Sequence, residues 1–496
     1  MPEPSRPPKQ MSRREAIGIA AGAAGAALAA QHTHGEAMGK STPTLAFRRD
    51  IPVGRPRDVV VCGGGPAGLA AALAARRRGV DVLLVEGQGQ LGGMSVSGMV
   101  SHWLGGRTSD CRRWVVGGLF RELSQEAAGR GIALVPKRSA GGKFQPHGWY
   151  RGQLEAGIPF DPFAMAAFLD QKAAAAKLDV LLLTQAVDVA VAEGRITHVV
   201  VLNKSGLAAI PARAVVDATG DADIAARSGC ETVQGRDADG LMAPATLQFH
   251  VGNVDQDALS AFIHEHNCPR FRRKIQELRK AGEWPFPYDI FISVQLNEKG
   301  TMMINTSRLV GIDGTDGASA SEGMVRGRAE TQQLLAILRK HFPGFAQARL
   351  KAVAPLLGVR ETRRIRGAYV LTVADVNSGK AFDDAIGFSA YGWDLPNPKR
   401  PSDNPAHGRK LPVVPIPYRA LVPRPVANLI CPGRALSVER PVLGPLRVMA
   451  PCMAMGEAAG AAAAHATRSG GSFTGVDAQA LRADLRERGA VVDWKA

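Results

Sequence analysis

Residues 58–86 read DVVVCGGGPAGLAAALAARRRGVDVLLVE, and this stretch decides the fold. An apolar strand from Val59 to Cys62 runs into G-x-G-x-x-G at Gly63, Gly65 and Gly68; an Ala-rich helix follows, then a second apolar strand that stops at Glu86. This is the βαβ unit of a dinucleotide site in an α/β protein. Gly63 permits the tight turn, Gly65 lets the backbone approach a pyrophosphate, and Gly68 lets the helix pack close to the strand. Pro66 and Ala67 open the helix, whose free N–H groups and partial positive charge face the phosphates. Glu86 stands 18 residues past Gly68, where a carboxylate would accept bonds from ribose hydroxyls. The motif leaves open whether the dinucleotide is FAD or NAD.

The rest of the composition bounds the answer. A chain of 496 residues is too long for one core, so two interleaved domains are expected. Apolar content of 45% and charge of 21% fit a globular protein. The net charge is +16, but Lys and Arg are scattered and aromatics make up only 5%, with no basic stripe, which argues against a nucleic-acid partner. The six cysteines form no C-x-x-C and no metal spacing, so no metal site is expected. Cys62 and Cys431 sit at strand ends and read as small core residues.

The N-terminus carries an export pattern. Ser12-Arg13-Arg14 precedes a mildly apolar run from Ile17 to Ala30, with small residues around Ala27-Leu28-Ala29. Paired arginines point to the twin-arginine route and its machinery, hence to the periplasm, although Ala16 stands where a bulky apolar residue is usual. The run is too short and too weakly apolar for a membrane span. Residues 1–30 are therefore read as a signal peptide and 31–56 as a linker. Twin-arginine export carries folded proteins with their cofactor loaded, which suits a flavoprotein better than a soluble NAD enzyme.

Three more segments point to a flavin. Leu91-Gly92-Gly93-Met94 puts a glycine backbone beside the pyrophosphate and flavin. The strand ending in Asp217-Ala218-Thr219-Gly220-Asp221 sets another backbone turn against the cofactor. Pro432-Gly433-Arg434 precedes a helix starting near Arg447; its dipole and that arginine would stabilise negative charge at the flavin N1–C2=O edge.

With these residues in view, the chain resembles the FAD-dependent oxidoreductase family related to glutathione reductase-like and fumarate reductase-like flavoproteins. The resemblance spans about residues 57–468. It rests on VVVCGGGPAGLAAALAARRRG, LLVEGQGQLGGM, VVDATGDADIAARSG, LGVRETRRIRGAYVLTVADV, IPYRALVP and GRALSVERPVLGPLRVMAPCMAMGEAAGAAAA. It implies a discontinuous doubly wound, Rossmann-like FAD-binding domain (57–105, 160–250 and 411–470). An α+β substrate or cap domain (106–159 and 251–410) would be inserted in it, and 471–496 would be a tail. It also implies that Gly63, Gly65, Pro66, Ala67 and Gly68 hold the pyrophosphate and Glu86 the adenosine ribose. Gly92, Gly93 and Met94 would line the flavin side, and Val187 would meet adenine through its backbone. Thr219, Gly220 and Asp221 would close the site, with Gly433, Arg434 and Arg447 near the ribityl chain or ring. The chain departs from its relatives at two places. Glu439-Arg440 replaces a frequent Thr-His pair, and Asp394-Leu395-Pro396 replaces Asp-Ile-His.

The catalytic candidates follow from chemistry. A donor with a C–OH group needs a base near flavin N5, and His102 is in reach of that turn. Arg360, Arg363 and Arg364 form a cluster whose forks suit carboxylates. Tyr391 and Asp394 precede a proline-dotted loop, Leu395 to Pro412, a candidate lid. Arg440, with Glu439, is peculiar to this chain. The expected activity takes a hydride from a small polar substrate, a sugar or hydroxy acid, onto flavin N5. Electrons then pass to O2 or to a periplasmic or membrane acceptor, since no second dinucleotide fingerprint is present. The alternatives are fumarate reductase-like reduction of an activated C=C bond, or an FAD-carrying electron-transfer subunit.

Overall fold

In a computed structural model, the apolar run at the head of the opening motif forms strand β1 (Arg57–Cys62), followed by helix α1 (Pro66–Arg76) and strand β2 (Val82–Val85). The structure describes residues 45–136, 156–266, 268, 270–402 and 413–495. Met1–Asp50 and Ile51–Ala496 are separate units; of the first, only residues 45–50 are described, and they are exposed. The export signal, most of the linker and residues 403–412 of the expected lid lie outside the described residues.

β1 and β2 are buried along nearly their whole length and pair in parallel. Strand β3 (Asp179–Leu181) extends the sheet in parallel beyond β2. By its apolar pattern the run 180–184 reads as the first strand of an antiparallel meander with 187–192 and 197–202; here it is instead a parallel edge strand, held by Asp179 bonded to Arg55 and Arg57. The meander is instead built from β4 (Gln185–Ala192), β5 (Arg195–Asn203) and the long β6 (Gly206–Asp217). The first half of β6 pairs antiparallel with β5, and its second half pairs in parallel with β1 and with strand Leu429–Ile430. One strand thus joins the parallel and antiparallel parts of a single seven-stranded sheet, and its parallel half ends at the Thr219–Asp221 turn.

Helix α1 is clamped between backbones. A Cβ on Gly68 would lie 1.7 Å from the Gly63 carbonyl oxygen, so only glycine lets helix and strand meet here. On the other side, helix Met449–Arg468 crosses it. A Cβ on Gly456 would sit 2.0 Å from Ala67 O, and one on Gly460 2.0 Å from Ala71 O. The Ala-rich sequences of both helices are thus a packing requirement: larger side chains would hold the axes apart.

A second, smaller sheet, which we call the roof, joins β7 (Phe249–Gly252), β8 (Ser293–Gln295), β9 (Met302–Ile304) and β10 (Arg349–Val353), all antiparallel. Phe249, Val251, Met302 and Ile304 share an apolar core with residues of helices Gln256–His266, Arg272–Lys280 and Gly317–His341. Not all of the stretches read as a cap from the sequence, 106–159 and 251–410, belong to this sheet. Residues 115–133 and 371–393 pack in the main core beside α1 and Met449–Arg468, because their apolar residues face those helices. The expected tail is also different: helix Ala478–Glu487 buries Leu481 and Leu485 in the same core.

Glu457 lies inside helix Met449–Arg468 and accepts from Leu119 N at 2.9 Å, at the start of helix Gly118–Gly129. Burial pushes its carboxyl up to about 7. The folded value exceeds the unfolded one, so this contribution is full below the ordinary carboxylate range and is lost as pH rises through 7. Glu457→Gln keeps an acceptor for Leu119. Between pH 5 and 8 its melting temperature should fall less than that of the wild type, as scanning calorimetry at a series of pH values would record. For the helix crossing, Gly456→Ala should cost about 1–3 kcal/mol in denaturant unfolding. Gly129→Ala, which meets nothing within 4 Å, should be neutral or gain about 0.5–1 kcal/mol.

Candidate active site

The ends of β1, β2 and β6, the N-terminus of α1 and the underside of the roof sheet enclose one cavity of about 1030 Å³. At the end expected to take the adenosine, Glu86 is nearly buried at the tip of β2. Its Oε2 accepts from Gly64 N at 2.5 Å and its Oε1 from Gln88 N at 2.7 Å, which fixes the carboxylate at the cavity wall. Burial raises its pKa and these backbone bonds oppose the rise. Val187 also lines this end. The β4–β5 register shifts between Ala186 and Asp188, which leaves Val187 without a cross-strand Cα partner, at the position expected to meet adenine through its backbone.

In the middle, Gly63 (φ +104°), Gly65, Pro66, Ala67, Gly93 and Met94 line the cavity, while Gly68 and Gly92 do not. Gly68 sets the helix–strand contact, and Gly92 N donates to Gly64 O, tying the two glycine turns together. α1 has no side-chain cap and no acid in its first turn. A Cβ on Gly65 would meet no protein atom nearer than Gly93 Cα at 3.9 Å. These uncapped N–H groups and this bare backbone fit a pyrophosphate, so the residues present suit FAD.

The β6 turn is fixed from below. Asp217 is fully buried. Its Oδ1 accepts from Thr219 N and Oγ1 at 3.2 and 2.7 Å, and its Oδ2 accepts from Ala225 N at 2.9 Å. Arg434 donates to Gly220 O, to Val359 O and to Asp221 Oδ1, and Thr362 Oγ1 donates to the same carboxylate at 2.6 Å. Arg434 therefore staples the Thr219–Asp221 turn to the segment carrying Arg360. Gly433 (φ +96°) lines the same wall.

The far end gathers the ionisable side chains. Tyr391 Oη donates to Asp394 Oδ2 at 2.9 Å, and Arg447 Nη2 donates to Asp394 O at 2.6 Å and Oδ2 at 3.1 Å. Burial opposes ionisation of Asp394, but Arg447, Arg360 and the Tyr391 bond outweigh it and hold the carboxyl below its usual range. Burial and the neighbouring Asp394 push Tyr391 up, so the phenol stays protonated. Arg360 is buried and donates from Nη1 to Pro244 O. Burial, Arg308 and Arg447 push its pKa well down. Arg308, also buried, donates to Ser307 O at 2.9 Å. His102 lines this end on strand His102–Trp103, against Gly157.

Of the catalytic candidates, Arg363, Arg364 and Arg440 do not line the cavity. Arg440 grips Glu361 with two bonds of 2.7 Å, and Arg364 reaches the same carboxylate at 3.3 Å. Glu361 is wholly buried and also accepts from Ala243 N, so both arginines are recruited to neutralise a core carboxylate. Glu439 accepts from Val373 N at 2.6 Å. The departure at 439–440 is thus structural, and Arg363 likewise serves Asp221 O and Asp223. Sequence reasoning missed Arg308, Gln248, Asn305 and Thr362. No motif marks them, though the alternating residues of Met302–Asn305 could have been read as a two-faced strand.

The chain matches the FAD dependent oxidoreductase family over residues 58–485 and belongs to it; it is an FAD-dependent oxidoreductase with FAD as cofactor. Over 47 residues it is 51% identical to dihydrolipoyl dehydrogenase of Trypanosoma brucei brucei, which covers 10% of this chain and 10% of that protein. Among solved structures it is similar to a geranylgeranyl bacteriochlorophyll reductase-like protein from Thermoplasma acidophilum (15% identity, 88% of this chain and 84% of that one, TM-score 0.45). It is also similar to p-nitrophenol 4-monooxygenase PnpA from Pseudomonas putida DLL-E4 (13% identity, 87% and 80%, TM-score 0.40). Gly65→Ala should leave the melting temperature of the FAD-free protein within about 1 °C of wild type, since no protein atom is displaced. Its FAD affinity, measured by fluorescence titration, should drop at least ~10-fold, because the added methyl enters the pyrophosphate's space.

Proposed function

We propose that this flavoenzyme oxidises a small anionic substrate of the hydroxy-acid type. The observation that carries the reading is the pair of buried arginines, Arg308 and Arg360, at the far end of the cavity with Asp394 as the neighbouring carboxylate. Burial lowers the pKa of both guanidiniums, and Arg308 and Arg447 lower that of Arg360 further; such a site favours an anion, and guanidinium forks suit a carboxylate. A neutral sugar would leave that charge uncompensated.

When bound, FAD supplies the hydride acceptor at N5. Arg308 and Arg360 would hold the substrate carboxylate and so orient its C–OH. Tyr391 oxygen would accept a hydrogen bond from that hydroxyl. Its own proton would pass to Asp394 Oδ2, 2.9 Å away, which the surrounding arginines keep ionised and ready to receive it. His102 stands by as a further wall of the site. Electrons would leave to O2 or to a separate acceptor. The roof sheet would form the substrate domain. The Ser12-Arg13-Arg14 run supports periplasmic export by the twin-arginine route.

The protonated state of Tyr391 supports a second reading, in which it gives a proton to an activated C=C bond reduced at the same site. Anaerobic mixing with a panel of 2-hydroxy acids and sugars distinguishes them: the first reading expects flavin bleaching by a hydroxy acid, and the second expects reoxidation of dithionite-reduced flavin by an enoate. Tyr391→Phe should lower the bleaching rate by roughly 10²–10⁴-fold. No bleaching by any hydroxy acid overturns the first reading.

A further inference from the structure

We infer that Gln248 and Asn305, adjacent on the roof sheet, are the specificity element of the cavity. They would select a carboxylate whose apolar body also carries a hydrogen-bond donor. This rests on the anionic-substrate reading above and goes beyond it.

The argument starts from strand alternation. Phe249 opposes Ile304 and Val251 opposes Met302, and these four face the roof's own core. The alternate residues therefore face the other way. Gln248, Asn305, Met303, Val294 and Ile292 do so, and all line the cavity. Extending that antiparallel register by one position sets Gln248 opposite Asn305, and Asn305 N donates to Ile292 O at 2.9 Å. The roof thus presents two amides ringed by aliphatic side chains.

Gln248 is only 2% exposed, yet its Oε1 has no hydrogen-bond partner among the described residues. Asn305 Oδ1 and Arg308 Nε are in the same condition. Buried polar atoms are nearly always paired in proteins, so two neighbouring acceptors without donors fit a ligand that brings the donor. Three residues beyond Asn305, Arg308 supplies the charge for the carboxylate. An alcohol or an ammonium group would satisfy the amides equally; a plain carboxylate with the same body would leave both unpaired.

The test compares three probes on FAD-loaded protein by anaerobic titration calorimetry. They are 3-(4-hydroxymethylphenyl)propionate (hydroxyl), 3-(4-aminomethylphenyl)propionate (ammonium) and 3-phenylpropionate (neither), none of which carries the 2-hydroxyl assigned to Tyr391. The wild type should bind one of the first two at least ~10-fold more tightly than 3-phenylpropionate, and which one identifies the donor. Gln248→Leu should narrow that ratio to within about threefold while leaving 3-phenylpropionate binding in place. If Gln248→Leu does not fold, Asn305→Leu carries the same comparison. Equal binding of all three by the wild type, or an unchanged ratio in the folded variants, overturns the inference and leaves the carboxylate reading standing. Unchanged affinity for all three in Arg308→Met and Arg360→Met overturns the carboxylate reading itself.

Discussion

The rest of this structure depends on one contact, the approach of helix α1 to other backbones on two sides. Gly68 brings it against the β1 turn, and Gly456 and Gly460 bring the C-terminal helix against Ala67 and Ala71. Such close crossings gain dispersion along their whole length and tolerate no added methyl. The contact joins residues nearly 400 positions apart, so the N-terminus of α1 and the Gly433–Arg447 wall are packed against the same pair of helices. The two walls of the cavity are thus brought together by a packing interaction, and polar bonds fix the turns within each wall.

Charge is then distributed by burial. The chain is rich in arginine, and the structure divides its arginines by the carboxylates they meet. Arg440 and Arg364 are consumed by the buried Glu361, Arg434 by Asp221 and Gly220, and Arg447 by Asp394. Arg308 and Arg360 are held by carbonyl oxygens instead, and with Arg447 they face the single carboxylate of Asp394, which leaves an excess of positive charge inside the cavity. A guanidinium bound only to neutral acceptors in a low-dielectric site is an electrostatic demand for an anion.

Much of this was legible in the residues. The G-x-G-x-x-G unit, Glu86, Thr219–Asp221 and Gly433-Arg434 are local motifs, each with a backbone or charge requirement that only a few residue types meet, and these line the cavity. Gly92 and Gly68 were legible as glycines but act through packing. The catalytic candidates divided unevenly: His102, Arg360, Tyr391 and Asp394 reach the cavity, whereas Arg364 and Arg440 do not. Nothing in GVRETRRIRG distinguishes an arginine that points at a core glutamate from one that points at a cavity, because neighbours on a strand face opposite ways and their partners are distant in sequence.

The sequence by itself determined the dinucleotide half. That half is built from short-range rules: a strand, a glycine turn, a helix N-terminus and an acid within thirty residues. Only the tertiary structure decided the other half. It set β3 parallel rather than antiparallel, freed Val187 in a register shift, brought residues 115–133 and 371–393 into the main core, and turned one face of the roof sheet onto the cavity. The physical reason is that these outcomes follow from which buried surface meets which across long chain separations, and the balance of packing and desolvation that settles it has no local signature.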